Sequence, residues 1–265
     1  MATTLAIGDM RAVQEQEPQI VFTGLDKRVS VTLANSGDEM ASADLRIHLL
    51  QTSSSTAMPV GETFWKKLQV LPGQTVLEQA ALDFPNVKAE TKFLVQWIAG
   101  TNQVLGTTEV MVYPTNLLAE LNSLAGEELP VGVFDPNNIL KPLLKTLSVE
   151  FEDMEDCGVT SFRGKLAIIG PFNSPEQTPS DMTERVEKLV RHGAGVVWIQ
   201  PPQAPRAKLK PSFETLPIGN GTVIIVQPEL TADLANSPQA QLNLIELCRL
   251  ARESAPPRLS DPNER

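Results

Sequence analysis

The chain has 265 residues, 42% of them hydrophobic and 20% charged, with a formal charge of −10, two cysteines and two histidines. That balance belongs to a globular chain rather than a disordered one, and the length suggests two domains. So acidic a surface repels phosphate backbones, no apolar run approaches the roughly 20 residues that cross a bilayer, and two cysteines are too few for a disulfide scaffold or a cysteine-based zinc site; neither nucleic acid nor membrane insertion is expected.

The opening stretch, Met1 to Arg11, lacks a basic segment followed by an apolar one and predicts no secretory signal. From Gln19 to Tyr113 the apolar residues alternate, as in Val29, Val31, Leu33, then Leu45, Ile47, Leu49, then Phe93, Val95, Trp97. Alternation places them on one face of half-buried strands. Turn signals separate the runs at Asn35-Ser36-Gly37, Pro72-Gly73 and Gly100-Thr101-Asn102. The spacing predicts an antiparallel β-sandwich over residues 1–115; the immunoglobulin-type disulfide is absent, so only the general architecture is implied.

After Tyr113-Pro114 the period changes. Short apolar strands are predicted at Pro130 to Phe134, Val149 to Met154, Lys165 to Ile169, Ala194 to Ile199 and Thr222 to Val226. Asn138 is placed to cap a brief helix. Thr178 to His192 reads as a longer one, with Thr178 as N-cap, Pro179 in the first position and Gly193 as terminator. A last helix is predicted from Pro238 to about Arg252. Strands alternating with helices imply a doubly wound α/β domain over residues 116–253, with a mostly parallel sheet covered on both faces. Residues 254–265 are polar and proline-containing and read as a disordered tail.

Ligands in such a sheet gather beyond the carboxyl ends of the strands. The residues expected there are polar but chemically mild: Asp135, Asn137 and Asn138 after the first strand, Asn173 and Ser174 after the third, Gln200 after the fourth and Gln227 after the fifth. Amides and one carboxylate suit hydrogen bonding to sugars or other polar ligands better than bond cleavage, so these seven are the candidate ligand-binding residues, and no catalytic residue is assigned. A constellation of Asp135, Asp153 and Cys157 is the alternative, as a hydrolase or transferase.

His192, at the end of its helix, suits the helix dipole, and His48 lies in a strand with no second histidine nearby. Cys248 shares a helical stripe with Leu244, Leu247 and Ala251 and reads as core; the acids around Cys157 oppose a thiolate. The run "EFEDMED", 150–156, lacks the spacing and glycine of a calcium loop and reads as a solvated strand end, and "PRAKLKP", 205–211, reads as a solvated loop. Neither a metal nor another cofactor is expected.

The stretch "GNGTVIIVQPELTADLANSPQAQLNLIELCRL", 219–250, resembles the closing strand and helix of class I glutamine amidotransferase-like (flavodoxin-like) domains, in the versions attached to large bacterial glycoside hydrolases of the β-galactosidase type. "LPVGVFD" and "GKLAIIGPFNSP" are similar to the first and third strands of the same domain. The resemblance implies an immunoglobulin-like module beside it, an accessory role in carbohydrate processing with carbohydrate or another domain of a larger chain as partner, and an extracytoplasmic setting. Active relatives carry a cysteine elbow after the strand that here ends "VVWIQPP", with a histidine later in the chain. Here Gln200 and Pro201 occupy that tip, no histidine follows His192, and a proline cannot supply the N–H that an oxyanion site would use. Neither amidotransferase nor glycosidase activity carries over.

Overall fold

The computed structural model of the chain describes residues 9–126, 129–156, 158–201 and 212–253, so Cys157, the loop 205–211 and the tail 254–265 lie outside the described residues. The chain divides into two compact units, Met1–Thr115 and Asn116–Arg265.

The described residues of the first unit form eight strands: β1 (Met10–Ala12), β2 (Gln19–Phe22), β3 (Gly24–Asn35), β4 (Ala41–Thr52), β5 (Ala57–Val70), β6 (Thr75–Phe84), β7 (Thr91–Ala99) and β8 (Gln103–Tyr113). They form a three-stranded sheet, β1-β3-β6, and a five-stranded sheet, β2-β8-β7-β4-β5. The alternating residues do what their period requires: Val29, Val31 and Leu33 from one sheet and Leu45, Ile47, Leu49, Phe93, Val95 and Trp97 from the other are buried in one shared core. Each fully buried side chain of this size contributes about 1.5–3 kcal/mol. One expectation is corrected, because the strands are not all antiparallel: β2 runs parallel to β8. The chain leaves β2 through Thr23 and Gly24, the latter at φ 121°, and joins the other sheet as β3. That crossing lets β2 lie beside β8 without a hairpin.

The second unit holds α1 (Glu120–Ala125), β9 (Val131–Phe134), α2 (Leu140–Thr146), β10 (Phe151–Asp153), β11 (Leu166–Ile169), α3 (Met182–Arg191), β12 (Gly195–Ile199), β13 (Phe213–Ile218), β14 (Gly221–Val226) and α4 (Pro238–Glu253). Its sheet runs β10-β9-β11-β12-β14-β13, parallel throughout except for β13, which pairs antiparallel with β14. Counting only the parallel strands in chain order gives 2-1-3-4-5, with the order reversing between β9 and β11. The crevice at such a reversal is where ligands of open α/β sheets collect.

The two faces of this sheet are covered unequally. Leu121 of α1, Leu140 and Leu144 of α2 and Leu244 of α4 pack with Val133, Ile168, Val197 and Ile224 on one face. On the other, α3 supplies Met182, Val186, Leu189 and Val190, and loop residues Val159, Phe162 and Phe172 complete the layer. Trp198 is half-buried on the α3 face, and its indole nitrogen has no hydrogen-bond partner among the described residues.

Two capping expectations are also corrected. Residues 179–181 form a turn and α3 begins at Met182, with Asp181 rather than Thr178 preceding it; the Thr178 hydroxyl is buried without a partner among the described residues, whereas the Asp181 main-chain oxygen accepts from Arg185. Asn138 sits in a turn at φ 51°, its N–H bonded to the Asp135 carbonyl, so it cannot cap the helix that follows.

Candidate functional site

β9 is buried along its whole length and delivers Asp135, 1% exposed, to the carboxyl edge of the sheet. Its Oδ2 accepts the main-chain N–H groups of Leu140 (2.6 Å) and Lys141 (3.0 Å), so the cap of α2 comes from the strand end across the Asn138 turn. A carboxylate there satisfies N–H groups that the helix leaves without partners. The other oxygen, Oδ1, is buried and has no hydrogen-bond partner among the described residues.

Lys141 projects from α2 to the neighbouring strand end. Its ammonium binds Asp153 at 2.7 Å and Glu155 at 2.6 Å, with only 10% of the side chain exposed. Burial alone would lower the Lys141 pKa, but hydrogen bonds to Asp153 and Glu155 outweigh it and hold the value above the ordinary one. Asp153 shows the mirror image: burial would raise it, yet the bond from Lys141 and the N–H of Glu155 hold it below the usual carboxylate value. The run 150–156 is therefore not simply a solvated strand end. Met154 is fully buried, and Asp153 and Glu155 neutralise one lysine.

Across the crevice, β11 is followed by Gly170, whose N–H bonds to the Phe134 carbonyl at 2.8 Å and whose peptide to Pro171 is cis. A Cβ on Gly170 would stand 2.6 Å from the Ile199 carbonyl oxygen, and its φ of 92° also favours glycine. The Asn137 side-chain amide donates to the Pro171 carbonyl (3.2 Å) and to Oε1 of Gln177 (3.0 Å), which also accepts the Asn173 N–H (2.9 Å). Ser174 precedes a 3₁₀ turn, Pro175–Gln177, and its hydroxyl helps lower the pKa of the exposed Glu176.

Of the seven expected residues, Asp135, Asn137 and Asn173 thus belong to hydrogen-bonded clusters flanking the β9/β11 reversal, and Asn138 shapes the turn between Asp135 and α2. Gln200 and Gln227 serve other strands. The Gln200 N–H continues the ladder to the Val226 carbonyl, and the Gln227 side chain accepts the Ser212 N–H at 3.1 Å. Sequence reasoning did not single out Lys141 or Gln177 because their partners become neighbours only through strand order. Among the described residues, no group of three or more His, Cys, Asp or Glu side chains could hold a metal ion.

Neither histidine belongs to this edge. His192 follows α3, with Nδ1 2.6 Å from the Lys188 carbonyl oxygen, and His48 pairs with Glu62 at 3.2 Å in the first unit. Cys248 is buried in the core under α4, where burial pushes its thiol pKa up. Among the described residues, no helix is long and apolar enough to cross a membrane.

No family model and no curated protein matches the chain. Among solved structures, a β-glucosidase from Listeria innocua is similar at 19% identity over 39% of this chain and 16% of its own, with a TM-score of 0.28. The sporulation control protein Spo0M from Bacillus subtilis matches at 12% identity over 45% of this chain and 57% of its own, with a TM-score of 0.30. The alkylpurine DNA glycosylase AlkC from Pseudomonas fluorescens matches at 12% identity over 40% and 31%, also with a TM-score of 0.30. The aligned portions amount to less than two thirds of each of these proteins.

Proposed function

We propose that the chain is a non-catalytic accessory and interaction region of carbohydrate processing. In this reading an immunoglobulin-like sandwich over residues 1–115 precedes an amidotransferase-like domain over residues 116–253 that has lost its nucleophile. One observation carries it: the polar groups at the carboxyl edge are engaged with one another. Asp135 caps α2, Lys141 is neutralised by Asp153 and Glu155, and Asn137 is bound to Pro171 and Gln177. Side chains held this way stabilise a loop cluster, whereas a catalytic base needs an oxygen or nitrogen free to reach substrate. The carbohydrate setting rests on the resemblance of residues 219–250 alone. Weak sugar recognition would fall to the more exposed amides, Asn173, Gln200 and Gln227, and to Ser174.

One atom favours the competing reading of a hydrolase or transferase at the same edge, namely the Oδ1 of Asp135, which has no partner among the described residues. The two readings separate in one experiment. The protein and its Asp135→Asn variant are screened against ester, amide and glycoside substrates, and titrated calorimetrically with neutral oligosaccharides. The accessory reading expects no turnover by either protein. Turnover by the parent that disappears in a folded Asp135→Asn variant would establish the enzyme instead.

A further inference from the structure

The edge strand β13 carries a surface that neither reading uses. From Phe213 to Pro217 every residue is exposed, including Phe213 at 45% and Leu216 at 41%, and among the described residues no strand pairs with its outer side. In the first unit the long edges are guarded: β5 is interrupted by two register shifts against β4 and contains Pro59, and β6, whose ladder with β3 is irregular between Gly24 and Lys27, carries Glu78 paired with Lys66; irregular ladders, proline and edge charges discourage strand addition. β13 pairs with β14 without a shift.

The ladder fixes which main-chain groups of β13 face outward. Gln227 N–H donates to the Ser212 carbonyl, and the Val226 carbonyl accepts from Gln200 on the opposite side. Hydrogen-bonded pairs alternate in an antiparallel ladder, so Glu214, Leu216 and Ile218 bond toward β14 while Phe213, Thr215 and Pro217 direct their main-chain groups to the open edge. The outward donors are therefore the N–H groups of Phe213 and Thr215, since Pro217 has none.

We propose that β13 pairs antiparallel with β13 of a second copy of this chain, about a two-fold axis at Thr215. Charge and the number of hydrogen bonds together select the register. An axis at Glu214 would put two carboxylates face to face, and an axis at Pro217 would set two residues without N–H groups opposite each other. With the axis at Thr215, the Thr215 pair exchanges two hydrogen bonds and each Phe213 N–H reaches a Pro217 carbonyl. Each Glu214 then lies opposite Leu216 of the other copy, so no like charges meet across the strands. Phe213 covers Pro217 on the α4 face. The interface is isologous and closes on itself.

Sedimentation velocity across a concentration series of the full chain tests this. The expected result is a reversible monomer–dimer equilibrium. Thr215→Pro deletes only an outward N–H and leaves the β13–β14 ladder intact, so it yields monomer at every concentration. Leu216→Glu sets a carboxylate opposite Glu214 and weakens the dimer on the order of tenfold. Leu216→Lys places the opposite charge there and does not, and adding Glu214→Lys to Leu216→Glu restores pairing. A parent that stays monomeric throughout overturns the proposal. So does a dimer that survives Thr215→Pro, or one that Leu216→Glu and Leu216→Lys weaken equally; should Thr215→Pro misfold, the charge series decides.

Discussion

Asp135 and Lys141 are held to each other at two places. The Lys141 main-chain N–H donates to Oδ2 of Asp135 at 3.0 Å, and Oε1 of Glu155 accepts both the Lys141 ammonium, at 2.6 Å, and the Asp135 N–H, at 3.1 Å. Strand end, helix start and the tip of β10 thus share one small polar cluster. Asp135→Ala removes the cap and leaves two helix N–H groups without their acceptor, so a loss of about 1–3 kcal/mol is expected. Asp135→Asn keeps an acceptor oxygen and loses less. Urea denaturation followed by circular dichroism measures both, and equal losses would contradict the capping role.

The same cluster makes stability depend on pH at both ends of the scale. Asp153 has a folded pKa below its unfolded value, so its contribution is present above the unfolded value and disappears as pH falls through the folded one. Lys141 has a folded pKa above its unfolded value, so its contribution is complete below the unfolded value and is lost as pH rises through the folded one. Lys141→Met should therefore flatten the acid limb below the ordinary aspartate value and the alkaline limb above the ordinary lysine value. Asp153 and Glu155 keep 31% and 33% exposure. Water thus screens the pair, and the loss near neutrality is about 1–2 kcal/mol. Urea midpoints of both proteins over a pH series check it; parallel curves would remove the ion cluster from the account.

Legibility in the sequence follows the range of the interaction. Val29, Val31 and Leu33 announce a half-buried strand because alternation is local, and Gly195 to Ile199 announces a buried one because both faces of its sheet are covered. β13 does not announce itself: Phe213 and Leu216 are exposed on opposite faces, and Pro217 interrupts the run. α1, with six residues, is too short to show a period. At the rim, residue types were legible but their duties were not. That Asp135 reaches Leu140 depends on the Asn138 turn, and that Lys141 meets Asp153 depends on β10 lying beside β9.

Close packing of α4 on the sheet gives a prediction that composition could not. A Cβ on Gly195 would stand 2.5 Å from the Ala251 carbonyl oxygen and 2.8 Å from its carbonyl carbon. Because these are main-chain atoms, no rotamer change relieves the clash and α4 must move as a body. Gly195→Ala should cost about 1–3 kcal/mol, and adding Ala251→Gly should not recover it. Gly61→Ala, where nothing lies within 4 Å of the added carbon, is the control and should stay within about 0.5 kcal/mol of the parent. Thermal unfolding of the variants decides, and rescue by Ala251→Gly would mean that side-chain contact governs this packing.

In the first unit the buried Trp97, 1% exposed, donates its indole N–H to the Thr108 hydroxyl at 2.9 Å, while its ring lies 5.1 Å from that of Trp65. Thr108→Val keeps the shape of the side chain but leaves a buried donor without an acceptor, for an expected loss of about 1–3 kcal/mol. Trp97→Phe vacates part of the ring volume and strands the hydroxyl, so it is also destabilising. The informative variant combines them. If the bond matters through its unsatisfied partners, the double variant loses less than the two single losses added together, because neither polar group is then left alone. A double-mutant cycle by urea denaturation gives that coupling directly, and strict additivity would show that Trp97 contributes through its apolar area and not through its N–H.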